Sequence, residues 1–147
     1  MAAIIVRCTA CSTQNRIADT KQHQYPRCGK CGAKIAMQDH AVPIVLGDAT
    51  MDDFLQSAQL PILVDFFSPT CSPCATLAPM IAQVARQFFG KVIVAKVDIN
   101  DNPGCTAHFK IHGVPTLLVF KDGKQVDQIV GLPNQHHLLD KLSHYAG

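Results

Sequence analysis

Apolar and polar positions fall into two textures that meet near "QDHAVP", residues 38–43. Residues 1–40 are polar and turn-rich, with few large apolar side chains. Residues 41–147 alternate long apolar runs with turn signals, so the chain is divided there into a small module and a larger domain. "PIVL" reads as a short strand. "TMDDFLQSA" reads as a helix with Thr50 as N-cap and Asp53 at its third position. "PILVDFF" is a nearly continuous apolar strand, the kind buried on both faces of a parallel sheet. From about 72 to 89, Leu77, Met80, Ile81, Val84 and Phe88 recur at helical spacing, with Pro79 inside as an expected kink. "KVIVAKVDI" is another buried strand and "DNPGCTAHF" a short helix with Pro103 in its first turn. "PTLLVF" and "QVDQIV" pair as a hairpin across Asp122-Gly123, and Asn134 caps a last helix. The βαβαβαββα order predicts an α/β domain: a mixed central sheet with helices on both faces.

Composition narrows the functional classes. Hydrophobic residues make up 48% of the 147 positions and charged residues 16%, enough for a sizeable core. The net charge of +2 makes nucleic acid an unlikely partner on overall electrostatics. "MAAIIVRC" lacks a basic n-region and a long apolar run, so no signal peptide is expected, and no stretch approaches the roughly 20 apolar residues of a membrane helix. A soluble cytoplasmic protein is the expectation. Thiols there stay reduced unless they are catalytic, redox-sensing or metal-bound. Of seven cysteines, six form three C-x-x-C pairs and Cys105 is left over.

Cys8-x2-Cys11 and Cys28-x2-Cys31 carry the spacing of a four-thiolate zinc site. Each pair makes a tight knuckle aiming two sulfurs at one centre, and two knuckles complete a tetrahedron with Zn–S distances of about 2.3 Å. Gly29 and Gly32 suit the second knuckle's turns, and Arg27 and Lys30 offset its negative charge. Structural disulfides are the alternative, disfavoured without a secretion signal. So short a module buries little apolar surface, and one structural zinc per chain would supply its folding free energy. His23 is a spare ligand that four cysteines leave unneeded.

Cys71-Ser72-Pro73-Cys74 sits differently, after a buried strand and at the opening of a helix, the setting of a redox motif. Unsatisfied N–H groups and the helix dipole favour a thiolate there. Cys71 is then the exposed nucleophile, and Cys74, one turn in, the shielded resolving thiol. A third metal knuckle is the poorer reading, since no second pair lies nearby. Here the sequence resembles the thioredoxin family, through "VDFFSPTCSPC", "VAKVDIN", "NPG", "GVPT", "F-KDG" and the late "VG". The N-terminal cysteines make it similar to the bacterial zinc-binding type.

The resemblance implies a thioredoxin fold preceded by a zinc ribbon, and roles residue by residue. Asp65 matches the buried aspartate that assists deprotonation of Cys74, and Lys96 the lysine that partners it. Pro115 matches a cis-proline facing the redox pair, leaving the Val114 backbone to pair with an extended substrate. Gly131 matches a groove glycine, and Thr70 stands beside the nucleophile where tryptophan is usual. The chain departs from the family's Trp-Cys-Gly-Pro-Cys at Thr70 and Ser72, has Phe67 and Ala75 at two further variable places, and contains no tryptophan. The expected activity is protein-disulfide reduction by thiol–disulfide exchange. Its partners would be disulfide-containing proteins and a thioredoxin reductase that supplies electrons from NADPH. Competing readings are an oxidant- or isomerase-leaning variant, and a non-catalytic zinc-ribbon binding module on the same scaffold.

Overall fold

A computed structural model describes residues 3–146. Two sheets form. The N-terminal one is an antiparallel pair, β1 (Ala3–Arg7) and β2 (Gln14–Ala18). Only Val6 and Ile17 of these strands are fully buried, in a small cluster with Cys8, Cys28, Ile35 and Met37. A 3-10 segment, Asp19–Gln24, follows and leads toward the larger sheet.

That sheet has five strands in the order β3-β5-β4-β6-β7: β3 (Ile44–Val45), β4 (Ile62–Phe67), β5 (Ile93–Asp98), β6 (Thr116–Lys121) and β7 (Lys124–Val130). β3 and β4 run parallel to β5, while β6 and β7 are antiparallel additions. The mixed sheet expected from the element order is therefore present. β4 lies at its centre, which explains why "ILVDFF" shows no alternation: both faces are covered. Asp122 and Gly123 turn the β6–β7 hairpin with φ of 54° and 79°, the left-handed pair that such two-residue turns need.

The helices α1 (Met51–Ser57), α2 (Ser72–Gln87), α3 (Pro103–His108) and α4 (Gln135–Ala146) cover the sheet. One core cluster joins Met51 and Leu55 of α1 and Cys105 of α3 to Val64, Phe66 and Leu118. The other joins Leu77, Ile81 and Val84 of α2 and Leu138 and Leu142 of α4 to Leu63 and Leu117. Alternate residues of β4 thus feed opposite cores. α2 continues through Pro79, which lies on its exposed side. Asn134 caps α4 by accepting from the His136 amide at 2.8 Å.

One capping expectation is corrected. Thr50 precedes α1, but its hydroxyl turns back to accept the Gly47 N–H at 3.1 Å and caps no helical amide. The carboxylate that does cap a helix start belongs to Asp48, which accepts from the Gly104 and Cys105 amides of α3 at 3.0 and 2.7 Å.

Candidate functional site

β4 ends at Phe67, and the chain turns through Ser68–Cys71, closed by the Cys71 N–H donating to the Ser68 carbonyl at 3.1 Å. Cys71 has extended backbone (φ −86°, ψ 115°) and is the N-cap of α2. Its Sγ accepts from the Cys74 N–H at 3.2 Å, so sulfur occupies the place where a capping oxygen usually sits. Pro73 falls within the first helical turn, where its missing N–H costs nothing. Cys71 and Cys74 are joined as a disulfide, with Cα atoms 5.2 Å apart. Cys71 is half-buried and Cys74 only 4% exposed, so an incoming sulfur has access to the first alone.

Remote segments complete the surface around Cys71. The Val114–Pro115 peptide is cis, and the Val114 carbonyl oxygen lies 3.7 Å from Cys71 Sγ. Gly131, at φ 86°, donates its N–H to the Pro115 carbonyl at 2.9 Å, bringing the end of β7 to the same place. Thr70 is exposed beside the nucleophile. Its hydroxyl lies 3.2 Å from Ser68 Oγ, which also accepts from Asn100 Nδ2 at 3.1 Å. Sequence pattern does not single out Ser68 and Asn100. Their one signal is a serine placed right after a buried strand; it is 8% exposed, and such a hydroxyl needs partners.

Asp65 lies in the middle of β4, 5% exposed, and its Oδ1 has no hydrogen-bond partner. Burial raises its carboxyl to about 7, against the opposing pull of the Lys96 charge. Lys96 is its register neighbour on β5, and the two are not in ion-pair contact. The ammonium instead lies 5.8 Å from the centroid of the Phe67 ring. Asp65, Lys96 and Cys74 all border one pocket of about 200 Å³, also lined by Ala75 and Ala78. A pocket of that volume holds water beside both carboxyl and thiol.

The other four paired cysteines form a separate centre. Cys8, Cys11, Cys28 and Cys31 place their sulfurs within 4.8 Å of one another. Cys8 lies 3.7 Å from Cys31 and Cys11 lies 3.6 Å from Cys28. A tetrahedron with metal–sulfur bonds of about 2.3 Å has edges of roughly 3.8 Å, which these two distances match, so the four-sulfur set is consistent with zinc. The two knuckles are near copies, "RCTACST" and "RCGKCGA". In each, the first cysteine's N–H reaches the carbonyl five residues on, and its carbonyl accepts the N–H four residues on. In each, the leading arginine donates to a carbonyl of the turn: Arg7 to Ser12 at 2.8 Å, Arg27 to Gly32 at 3.1 Å. Ser12 and Gly32 both have positive φ, which glycine adopts freely and serine rarely. The Cys31 and Lys30 amides pull the Cys28 thiol down to about 6, toward the thiolate that binds metal. Cys31 is favoured as thiolate by the Ala33 amide, yet the sulfurs of Cys11 and Cys8 push it up to about 11. Four crowded thiolates call for a cation.

The two centres do not share sulfurs. The ribbon's core packs on Phe89, just past the C-terminal end of α2, and Tyr25 meets the Phe89 ring edge-on at 5.9 Å. Cys71 is at the other end of that 16-residue helix, which spans about 24 Å. Cys105 belongs to neither centre; it is buried in α3, and burial, with Asp48 beside it, pushes its thiol up to about 12.

Comparison with known proteins finds relatives of both centres. A family model described as Thioredoxin matches residues 42–144, and a zinc-ribbon model described as Thioredoxin 2, N-terminal, matches residues 7–33. The chain is 33% identical to thioredoxin C-3 of Corynebacterium nephridii over 128 residues, covering 87% of this chain and 86% of that one. It is 36% identical over 100 residues to a thioredoxin of Synechocystis, covering 68% and 94% respectively. Among solved structures, a mutant thioredoxin from Halobacterium salinarum superposes with a TM-score of 0.66 at 33% identity, over 72% of this chain and 92% of that one. The chain belongs to the thioredoxin family, as a thiol–disulfide oxidoreductase with an N-terminal zinc ribbon and the redox pair Cys71–Cys74.

Proposed function

We propose that this chain reduces disulfides in other proteins in a cytoplasmic setting, drawing its electrons from NADPH through a thioredoxin reductase. The observation that carries the reading is the asymmetric pair at the start of α2: an accessible sulfur held against a helical N–H, joined to a buried one. In the reduced protein, Cys71 Sγ is the thiolate, favoured by the Cys74 amide and the helix dipole. It attacks one sulfur of a substrate disulfide, and the other substrate sulfur leaves and takes a proton. Cys74 then gives its proton to Asp65 through water in the shared pocket, and attacks Cys71 Sγ. The second substrate thiol departs, the Cys71–Cys74 disulfide forms, and two electrons have passed to the substrate.

In this reading the Val114 backbone and Gly131 hold an extended substrate strand beside Cys71, with Pro115 shaping the turn and Thr70 forming the rim. Lys96 tempers the rise of Asp65. The ribbon holds one structural zinc per chain through Cys8, Cys11, Cys28 and Cys31. Residues 1–40 and 41–147 act as two modules. The test is dithiothreitol-driven reduction of insulin. Cys71→Ser should abolish turnover, and Cys74→Ser should accumulate a mixed disulfide at Cys71, visible by mass spectrometry. Turnover that survives Cys71→Ser rejects the nucleophile.

A further inference from the structure

Charge is distributed very unevenly over this molecule. Of its thirteen Lys and Arg, six lie in the first forty residues: Arg7, Arg16, Lys21, Arg27, Lys30 and Lys34. All six are exposed. Of the two Asp in that stretch, Asp19 is 3% exposed and is occupied by the Val45 N–H at 2.9 Å, leaving Asp39 at the module's end. Residues 41–147 hold the remaining seven cations against nine Asp. The net charge of +2 thus conceals a basic ribbon on a mildly acidic body.

Two of the ribbon's cations have local work, since Arg7 and Arg27 brace the knuckles. Arg16, Lys21, Lys30 and Lys34 make no side-chain hydrogen bond or ion pair among the described residues. Lys34 even stands directly across from Arg27 in an antiparallel bridge, a like-charge placement that costs stability. Neutralising the metal centre does not account for them. Four thiolates around a divalent ion carry two negative charges, far fewer than the cations present. On the hairpin's solvent face, Arg16 pairs across from the 58%-exposed Ile5, with Arg7 next along the same side. That face offers charge around an aliphatic contact.

The redox face has the opposite character. No charged residue occurs from Ser68 through Ala85, and Lys96 is the one cation bordering the pocket beside Cys71, so this face offers little charge by which to select partners. We propose that the ribbon is an electrostatic docking arm for acidic protein partners, which it holds while Cys71 acts on their disulfides; this rests on the reductase reading above. The ribbon packs beside one end of α2 and Cys71 caps the other, a helix length of about 24 Å, so a partner that engages both must span roughly that reach. Single-stranded nucleic acid is the poorer occupant. Residues 1–40 hold one tyrosine and no phenylalanine or tryptophan, fewer than successive stacked bases use, and the adjoining body is net acidic.

The probe is one disulfide-bonded peptide carrying, beyond a 20-residue Gly/Ser spacer that reaches about 25 Å, a tail of eight Glu, eight Ser or eight Lys. With full-length zinc-loaded protein at about 10 mM ionic strength, kcat/KM for the Glu-tailed peptide should exceed the Ser-tailed value about tenfold or more, with the Lys-tailed peptide lowest. Near 1 M salt, where the screening length is about 3 Å, the three should converge. R16E/K21E/K34E should remove the preference while leaving the Ser-tailed rate unchanged. The milder R16Q/K21Q/K34Q should reduce it, with retained zinc reporting an intact ribbon in both. Equal rates for the three tails, or a preference that survives both triple variants, overturns the docking arm alone. So does tighter ribbon-dependent binding of a single-stranded oligonucleotide than of the Glu-tailed peptide. Failure to reduce even the Ser-tailed peptide overturns the reductase reading instead.

Discussion

Asp65 shows how one residue couples stability to chemistry. A carboxyl buried without a partner costs least when protonated, and its value near 7 expresses that cost. Because the folded value is raised above the unfolded one, the folded protein binds the proton more tightly, and stability falls as pH climbs from about 4 to about 7. Above that window the penalty is on the order of 4 kcal/mol. Asp65→Asn should therefore raise Tm at pH 8, have little effect at pH 4, and slow disulfide turnover. An equal Tm change at both pH values would contradict the titration account. The aspartate was legible in the chain because it interrupts an apolar strand. Its unpartnered oxygen was not, since partners are supplied by neighbouring strands and helices.

Among the elements, the least legible contact joins the ribbon to the edge of the large sheet. β3 has only two residues and lies at the sheet's edge, where backbone groups on its outer side need partners. Side chains of the Asp19–Gln24 segment cover it in place of a strand. The Gln22 carboxamide accepts from the Val42 N–H at 3.0 Å and donates to the Val42 carbonyl at 2.5 Å, while Asp19 takes the Val45 N–H. Gln22 is 4% exposed, so Gln22→Ala strands two backbone groups and should cost about 1–3 kcal/mol in urea unfolding. It should also speed hydrogen exchange at Val42. Unchanged exchange there would mean that the edge is covered by something else. The strands and helices themselves were readable, because burial on one or both faces writes a period into the sequence. Caps were less so. Thr50 had the right type and place, yet Asp48 performs the capping for a helix more than fifty residues away.

For the whole molecule, the three core clusters define what each part can do alone. Neither cluster of the large domain includes a residue from 1–40, whereas the ribbon's own cluster has four non-cysteine members buried. Removing the metal with a chelator should therefore unfold the ribbon first, seen as trypsin cleavage at Arg7, Arg16, Lys21, Arg27 or Lys30. Residues 41–147 should stay protected and insulin reduction continue. A single cooperative loss of the entire chain on chelation would refute separate stabilisation. Sequence alone pointed to a redox pair, a separate four-cysteine cluster and the order of elements, since a C-x-x-C knuckle, a helix N-terminus and an apolar period are geometries closed within a few residues. The convergence of Val114 and Gly131 on Cys71 was expected from family resemblance and not from local pattern; only the tertiary structure decided that Ser68 and Asn100 brace the nucleophile's turn and that the four-cysteine cluster packs at the far end of α2. Those meetings depend on how distant segments pack, and packing between segments leaves no mark in local pattern.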